Sequence, residues 1–382
     1  MYVRYKEIVR INQYLMADHP DYAYNDNKWE IGGADLSVID LLKLAYEKKA
    51  SDIHITVHSP AMFRIHGDLK PVNGEVLTPA RTVELARELM TNEQYQSFMS
   101  KGDLDFSYGI PDVSRYRVNA FQQKGNVSLT IRLIPSKIPQ MEALGLPAMA
   151  EEFAKKPQGL LLVTGPTGSG KSTTLAAILD YINRTRNDHI ITLEDPIEFV
   201  HNHKSCIVNQ REIGVDTASF ASGLRAALRQ DPDVILVGEM RDLETISTAI
   251  TAAETGHLVF GTLHTADAPQ TIDRVIDVFP PESQQQIRVQ LASVLLGVMA
   301  QRLLPTADGQ GRVAAIEVLV NTPAIANLIR SEKVHQIRSA MQTGKAQGMQ
   351  TMEMSLRELL QQRVITMESA REAMFGFADL NG

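Results

Sequence analysis

Eight consecutive residues near the middle of the chain match the G-x-x-x-x-G-K-[ST] pattern of a loop that binds nucleotide phosphates. Together with the next residue they are Gly165, Pro166, Thr167, Gly168, Ser169, Gly170, Lys171, Ser172 and Thr173. The glycines let the backbone wrap closely around phosphate oxygens, and the exposed amides and the following helix N-terminus supply positive potential. We expect Lys171 to reach the β- and γ-phosphates and the Ser172 hydroxyl to bind Mg²⁺. The pattern therefore predicts a site for ATP and Mg²⁺.

The segments on either side of this phosphate loop are those that such a site requires. The apolar residues 160–163 precede the loop and predict a buried strand, and the Ala- and Leu-rich residues 172–182 predict a helix. A chance Gly-rich turn is the alternative interpretation, and the strand and helix argue against it.

Two more predicted strands end in carboxylates. Residues 233–238 form an apolar run followed by Glu239, which is typical of a Walker B strand whose acid polarises the attacking water. Gly238 occupies the place of the usual Walker B aspartate, so Mg²⁺ must rely on the loop serine, the nucleotide and waters. Residues 190–194 end in Glu194, which we expect to order a metal-bound water or assist Glu239. The alternatives are a solvated acid at the strand end for Glu239, and mere turn caps for the nearby Asp195 and Glu198.

Histidines flank a further predicted strand. His264 follows the strand predicted after His257, at the edge of the sheet where the phosphate loop lies, and we expect it to sense the γ-phosphate. His257 precedes the strand and belongs to the opposite end. A packed or surface histidine is the alternative for His264. The histidine spacing does not suit a zinc helix, and the single cysteine, Cys206, excludes an internal disulfide and a cysteine-built zinc site.

The composition is that of a globular protein. Its 382 residues suffice for two or three domains, and 44% are hydrophobic and 22% charged. The net charge of −7 disfavours a nucleic-acid surface as the main role, although it leaves room for a local basic patch. The chain has neither an apolar run long enough to span a membrane nor a signal peptide, so we expect a cytoplasmic protein.

The order of predicted elements divides the chain into five segments. We expect an extension of unassigned role at residues 1–35, a small α+β domain at 36–134 and a Pro- and Met-bearing linker at 135–156. An α/β domain follows at residues 157–320, and a helical region at 321–382. In the α/β domain, strands are predicted at residues 160–164, 189–194, 206–210, 233–238 and 257–262, and a hairpin at 298–304 and 312–320. This order predicts a mostly parallel sheet with the phosphate loop after its first strand, as in RecA-like ATPase cores.

Alternation along two strands of the small domain places arginines on one sheet face. If one set of side chains faces the helices, the intervening set faces outward. The inward set is Tyr116, Val118 and Ala120, and the outward set is Arg115, Arg117, Asn119, Ser128, Thr130 and Arg132. The arginines could then form a polar patch for binding. The alternative is an ordinary solvated face, and the pattern alone favours this alternative.

Six runs of the sequence resemble the secretion ATPases that drive type IV pili and type II secretion, and most of all the pilus retraction ATPases. They are residues 50–54, 115–121, 165–172, 192–199, 237–242 and 255–265, within a match over residues 36–375. The resemblance implies a RecA-like core after a PAS-like domain, a homohexameric ring with nucleotide between subunits, and an inner-membrane platform protein as partner. In such rings, basic residues of the small domain reach a neighbour's nucleotide. Arg117 and Arg132 stand at the matching positions, which reverses the preference for a solvated face.

Two features refine the resemblance. Pilus extension and type II secretion relatives typically carry a four-cysteine zinc element, which a single cysteine excludes. Retraction ATPases carry an A-I-R-N-L-I-R helix, and residues 324–330 here have Ala326 in place of the first arginine. We therefore expect a Mg²⁺-dependent ATPase that powers pilus retraction and twitching motility, with a related retraction ATPase as a further candidate partner. The alternatives are an accessory retraction paralogue, a type II secretion or pilus assembly ATPase, a weakly hydrolysing regulatory ring and a nucleic-acid translocase.

Overall fold

The computed structural model describes residues 36–65, 67–72, 76–111, 113–134 and 137–378, so the predicted extension at residues 1–35 lies outside the described residues. The chain divides into two compact units, the first ending at Leu133 and the second beginning at Ile134. In the described part of the chain, every helix falls short of the length and hydrophobicity that crossing a bilayer requires.

The described part of the first unit contains a six-stranded sheet and three helices. The strands are β1 (Asp52–Ile55), β2 (Met62–Ile65), β3 (Asp68–Pro71), β4 (Asp103–Ile110), β5 (Ser114–Gln123) and β6 (Asn126–Ile134), in the order β3-β2-β1-β6-β5-β4. The helices are α1 (Val38–Glu47), α2 (Pro79–Leu89) and α3 (Asn92–Lys101). The pairs β1–β2, β1–β6, β2–β3 and β4–β5 are antiparallel. Side chains cap the first two helices, because the Ser37 and Thr78 hydroxyls accept from the backbone amides of Asp40 and Arg81.

The core of the first unit follows the predicted alternation along β5. Tyr116, Val118 and Ala120 are fully buried, and the Tyr116 hydroxyl donates to the carbonyl oxygen of Leu42 at 2.9 Å. Burial raises the pKa of Tyr116 to about 12. Ser128, which the alternation assigns to the opposite face, is nevertheless buried, with its hydroxyl oxygen 3.0 Å from Thr56 Oγ1.

The second unit is built on a seven-stranded sheet that is mostly parallel. The strands are β7 (Gly159–Thr164), β8 (His189–Glu194), β9 (Ile207–Glu212), β10 (Val234–Val237), β11 (Leu258–Leu263), β12 (Leu295–Pro305) and β13 (Arg312–Val320). Their order is β13-β12-β7-β11-β10-β8-β9, and every pair is parallel except β12–β13, which is the predicted hairpin. The sheet confirms the predicted RecA-like α/β core.

Helices cover both faces of this sheet. They are α4 (Met149–Ala154), α5 (Lys171–Thr185), α6 (Phe220–Ala227), α7 (Leu243–Glu254), α8 (Ala268–Asp277), α9 (Pro281–Val294), α10 (Pro323–Arg330), α11 (Ile337–Thr343), α12 (Met352–Gln361) and α13 (Met367–Ala378), with short 3₁₀ helices at Val334–Gln336 and Lys345–Gln347. Alternate residues of β7 belong to two apolar clusters, Leu160 and Leu162 to one and Leu161 and Val163 to the other. A strand covered on both faces is apolar along its whole length, which explains the sequence of β7.

The predicted linker and Ala326 both contribute to the packing of this unit. The segment predicted as a linker contains α4, whose Phe153 is 2% exposed and packs in the same cluster as Leu161. Ala326 lies in α10, where its side chain is 8% exposed and packs with Ile325 and Ile329.

The β12–β13 hairpin is tied to three helices by buried or half-buried polar side chains. Glu317 of β13 accepts hydrogen bonds from the amide of Ala268 at the start of α8 (2.8 Å) and from the amide of Met352 at the start of α12 (3.3 Å). Burial raises the pKa of Glu317 to about 7, although these two bonds oppose the shift. On β12, Arg302 Nη1 donates to the carbonyl oxygen of Ala373 in α13 at 2.6 Å.

Candidate active site

The phosphate loop connects the end of β7 to the start of α5. Gly165, Gly168 and Gly170 have φ angles of 140°, 79° and 91°, which residues other than glycine rarely adopt. At Gly165 a side chain is also excluded sterically, because a Cβ atom would lie 2.3 Å from the carbonyl oxygen of Gln301. The structure thus contains the strand, tight loop and helix that the sequence predicts.

The other side chains of the loop differ in exposure. Pro166, Thr167 and Gly168 are exposed, Ser169 is buried, and Ser172 and Thr173 are half-buried in the first turn of α5. The exposed tip and the helix N-terminus are the parts of the loop that an anion can approach.

Lys171 lies against the backbone of its own loop. Its Nζ atom donates to the carbonyl oxygens of Gly165 at 2.8 Å and Pro166 at 3.1 Å. Burial lowers the pKa of Lys171, and the charges of Glu239 and Glu198 oppose that shift. The ammonium group is therefore within electrostatic range of the carboxylate that the sequence predicts to act on water.

Glu239 and His264 are brought together at the ends of two neighbouring strands, β10 and β11. His264 Nε2 lies 2.9 Å from Glu239 Oε1, and Arg241 Nε contacts the same oxygen. The Glu239 side chain is 19% exposed, whereas that of Arg241 is 75% exposed. Sequence reasoning placed Glu239 and His264 at one edge but missed Arg241, although it lies in the same V-G-E-M-R-D run.

Gly238 has a steric reason to replace the usual Walker B aspartate. Its amide donates to the carbonyl oxygen of Leu193 at 2.8 Å, and its carbonyl oxygen accepts from Thr262 Oγ1 at 2.5 Å. A Cβ atom on Gly238 would lie 2.9 Å from the Leu193 oxygen and 3.3 Å from Glu194 Cα. The strands on both sides hold this backbone so closely that a side chain does not fit.

Glu194 ends β8 inside a network of hydrogen bonds. Its Oε1 accepts from Thr192 Oγ1 at 2.6 Å and from Gln210 Nε2 at 3.0 Å, and its Oε2 accepts from the amide of Glu198 at 3.4 Å. Burial raises the pKa of Glu194, and these hydrogen bonds oppose the shift. Sequence reasoning missed Gln210, which also donates to the carbonyl oxygen of Phe199 at 2.8 Å.

The two predicted arginines lie in the first unit on neighbouring strands, β5 and β6. Arg132 Nε donates to Asp52 Oδ1 at 3.0 Å, and the Arg132 side chain is 68% exposed. Arg117 Nε lies 3.9 Å from Asp105 Oδ1, with 45% of the Arg117 side chain exposed. Each guanidinium is thus exposed beside one carboxylate, and its action on a neighbouring subunit stays a prediction.

Comparison with known proteins assigns the chain to a family. Residues 35–374 match the family model described as type II/IV secretion system protein. The chain is 51% identical over 337 residues to the type IV pilus retractation ATPase PilT of Pseudomonas aeruginosa, covering 88% of this chain and 98% of that protein. It is 46% identical over 347 residues to the twitching motility protein of Neisseria gonorrhoeae, covering 90% and 93%.

A solved structure gives the same result in three dimensions. The crystal structure of the pilus retraction motor PilT with bound ADP matches with a TM-score of 0.83 and 51% identity, covering 89% of this chain and 97% of that one. The phosphate loop, the paired Glu239 and His264, and these similarities lead to one conclusion. The chain belongs to the type II/IV secretion system protein family.

Proposed function

We propose that this chain is an ATP-hydrolysing motor that powers the retraction of type IV pili and, through it, twitching motility. The observation that carries the proposal is the 51% identity to a protein described as a pilus retraction ATPase, in a match that covers 98% of that protein. The site geometry supports it, because a phosphate loop and a carboxylate paired with a histidine lie at the ends of neighbouring strands.

In this proposal residues 165–173 bind the phosphates of ATP. The backbone amides of the loop, the N-terminus of α5 and the ammonium group of Lys171 face the phosphate charge. The Ser172 hydroxyl would hold Mg²⁺, an ion that prefers oxygen ligands and, when bound, neutralises charge on the β- and γ-phosphates. The remaining ligands of the ion would be oxygen atoms of the nucleotide and of waters.

Glu239 orients the water that attacks the γ-phosphate. His264 and Arg241 both contact Oε1 of this carboxylate, so we assign the water to the second oxygen, Oε2. These two groups fix the orientation of the carboxylate, and correct geometry is the first requirement of a catalytic base. Glu194, held by three hydrogen bonds, supports the same water from β8.

We further propose that the active unit is a homohexameric ring at the cytoplasmic face of the inner membrane. Arg117 and Arg132 of one subunit would complete the nucleotide site of its neighbour, and an arginine supplied in this way is worth about 10³–10⁵ in rate in other phosphoryl-transfer systems. Binding of ATP would close adjacent subunits and hydrolysis would release them. The motion would pass to a platform protein in the membrane, with a related retraction ATPase as a second partner.

Deletion of the gene followed by microscopy of surface fibres tests the function. We expect excess pili and no surface motility, and we expect the wild-type gene, but not one encoding Glu239→Gln, to restore motility. Cells without pili would instead indicate an extension motor. Restoration by Glu239→Gln would separate the role in retraction from ATP hydrolysis and would contradict the proposal.

A further inference from the structure

We propose that Gln301 is a positioning residue for the phosphate loop, which holds the peptide bond between Ser169 and Gly170 so that the Gly170 amide faces the nucleotide. Gln301 lies in β12, 132 positions beyond Ser169 in the sequence. The inference rests on the proposed binding of nucleotide by this loop.

The contacts of Gln301 reach both ends of the loop. Its side chain is 1% exposed, and its Nε2 atom donates to the carbonyl oxygen of Ser169 at 2.7 Å. A Cβ atom on Gly170 would lie 3.1 Å from the same Nε2 atom, and one on Gly165 would lie 2.3 Å from the Gln301 carbonyl oxygen. The two outer glycines therefore make room for this one residue of β12.

The hydrogen bond fixes the direction of a backbone amide. In a trans peptide the C=O and N–H groups point in opposite directions, and the Ser169–Gly170 peptide is trans. Holding the Ser169 oxygen on Gln301 therefore turns the Gly170 N–H away from β12. A loop that binds an anion needs its N–H groups directed at the anion and its C=O groups directed away, because a carbonyl oxygen facing phosphate would repel it.

Two buried atoms beside this contact support a functional interpretation. Among the described residues, Gln301 Oε1 and Ser169 Oγ have no hydrogen-bond partner although both side chains are buried. An unpaired buried polar atom destabilises a folded protein, and the glutamine at position 301 leaves its own Oε1 atom in that state. The contact with the loop gives a reason for the glutamine that stability alone does not.

Replacement of Gln301 by methionine tests the role, because methionine keeps the length of the side chain and removes the donor. We expect the dissociation constant for a fluorescent ADP analogue to rise about tenfold, the equivalent of about 1.4 kcal/mol. The KM for ATP should rise with it while kcat stays nearly unchanged, since the amide binds the phosphate in both the ground state and the transition state.

Asn321→Leu is the matched control for a merely structural effect. Asn321 Nδ2 also donates to backbone carbonyl oxygens, those of Ala292 at 3.0 Å and Leu295 at 2.8 Å, but it does not contact the loop. This variant should lower the melting temperature of the nucleotide-free protein and leave ADP affinity unchanged. Equal ADP affinity of wild type and Gln301→Met would overturn the inference and leave the proposed function standing, whereas a wild type that fails to bind ADP would overturn both.

A second variant, Gln301→Glu, adds a readout that a packing defect would not produce. Burial raises the pKa of a carboxyl group, and only the protonated carboxyl can donate to the Ser169 oxygen. The ratio of variant to wild-type dissociation constants should therefore be near one at about pH 5 and rise at least about tenfold by about pH 8. A ratio that stays constant over this range would contradict the positioning role.

Discussion

Replacement of Glu239 by glutamine should abolish ATP turnover while leaving nucleotide binding intact. Glutamine has nearly the same size and keeps an oxygen that can accept from His264 Nε2, which lies 2.9 Å from Glu239 Oε1 in the wild type. The change removes the negative charge of the carboxylate, which we propose orients the attacking water. The phosphate loop, which binds the nucleotide, is not altered.

The expected size of the effect follows from two terms. Loss of a general base or water-orienting carboxylate typically lowers kcat by about 10²–10⁴, the equivalent of about 3–5 kcal/mol in the activation barrier. The ion pair with Arg241 is also lost, but Arg241 is 75% exposed, and such an exposed pair contributes little to stability. The kinetic effect should therefore far exceed any effect on folding.

Phosphate release at saturating ATP, together with the dissociation constant of a fluorescent nucleotide, measures both expectations. Glu244→Gln is the matched control, because Glu244 lies in the first turn of α7 and pairs with Arg225 with half of its side chain exposed. We expect this control to retain wild-type kcat. A Glu239→Gln protein whose kcat stays within about twofold of wild type, or a Glu244→Gln protein that loses as much, would refute the assignment.

Three further predictions concern single residues. Gly238→Ala should destabilise the second unit by about 1–3 kcal/mol, because its Cβ would lie 2.9 Å from the Leu193 carbonyl oxygen, and an unchanged melting temperature would contradict this. Rings mixed from Arg132→Gln and Glu239→Gln subunits should regain turnover that neither variant has alone, since one interface in such rings combines an intact Glu239 with an intact Arg132; a mixture no more active than its parts would contradict action between subunits. The raised pKa of Glu317, about 7 against an ordinary 4.5, means that the fold favours its protonated form, so stability should fall as pH rises from about 4.5 to about 7, by about 3 kcal/mol. Denaturant unfolding of the wild type and of Glu317→Gln should show a difference in stability that changes with pH in this way. A difference that does not vary with pH would contradict the raised pKa of Glu317.

Local patterns were sufficient to predict most of the core. A strand covered on both faces is continuously apolar, so β7 and β10 were predicted from short runs of sequence. The ends of parallel strands share one edge, so Glu194, Glu239 and His264 could be assigned to the same edge before their distances were known.

Contacts that depend on tertiary register could not be predicted in the same way. Gln301 and Gln210 are polar residues within strands, and their partners lie 132 and 16 positions away, so no local spacing identifies them. The burial of Ser128 has the same origin, because alternation gives the face of a residue but not what covers that face. Gly238 was recognised as a departure from the usual Walker B pattern, but its cause needed the positions of the neighbouring strands.

The two hydrogen bonds to Glu317 have a consequence for how the C-terminal helices can be removed or exchanged. A chain cut before Thr351 would lose the amide of Met352, and one oxygen of this buried carboxyl group would then lack its donor. Such a truncation would damage the sheet as well as shorten the protein. Chimaeras in which these helices come from a relative should therefore keep an acidic residue at position 317 together with the helix that begins at Met352.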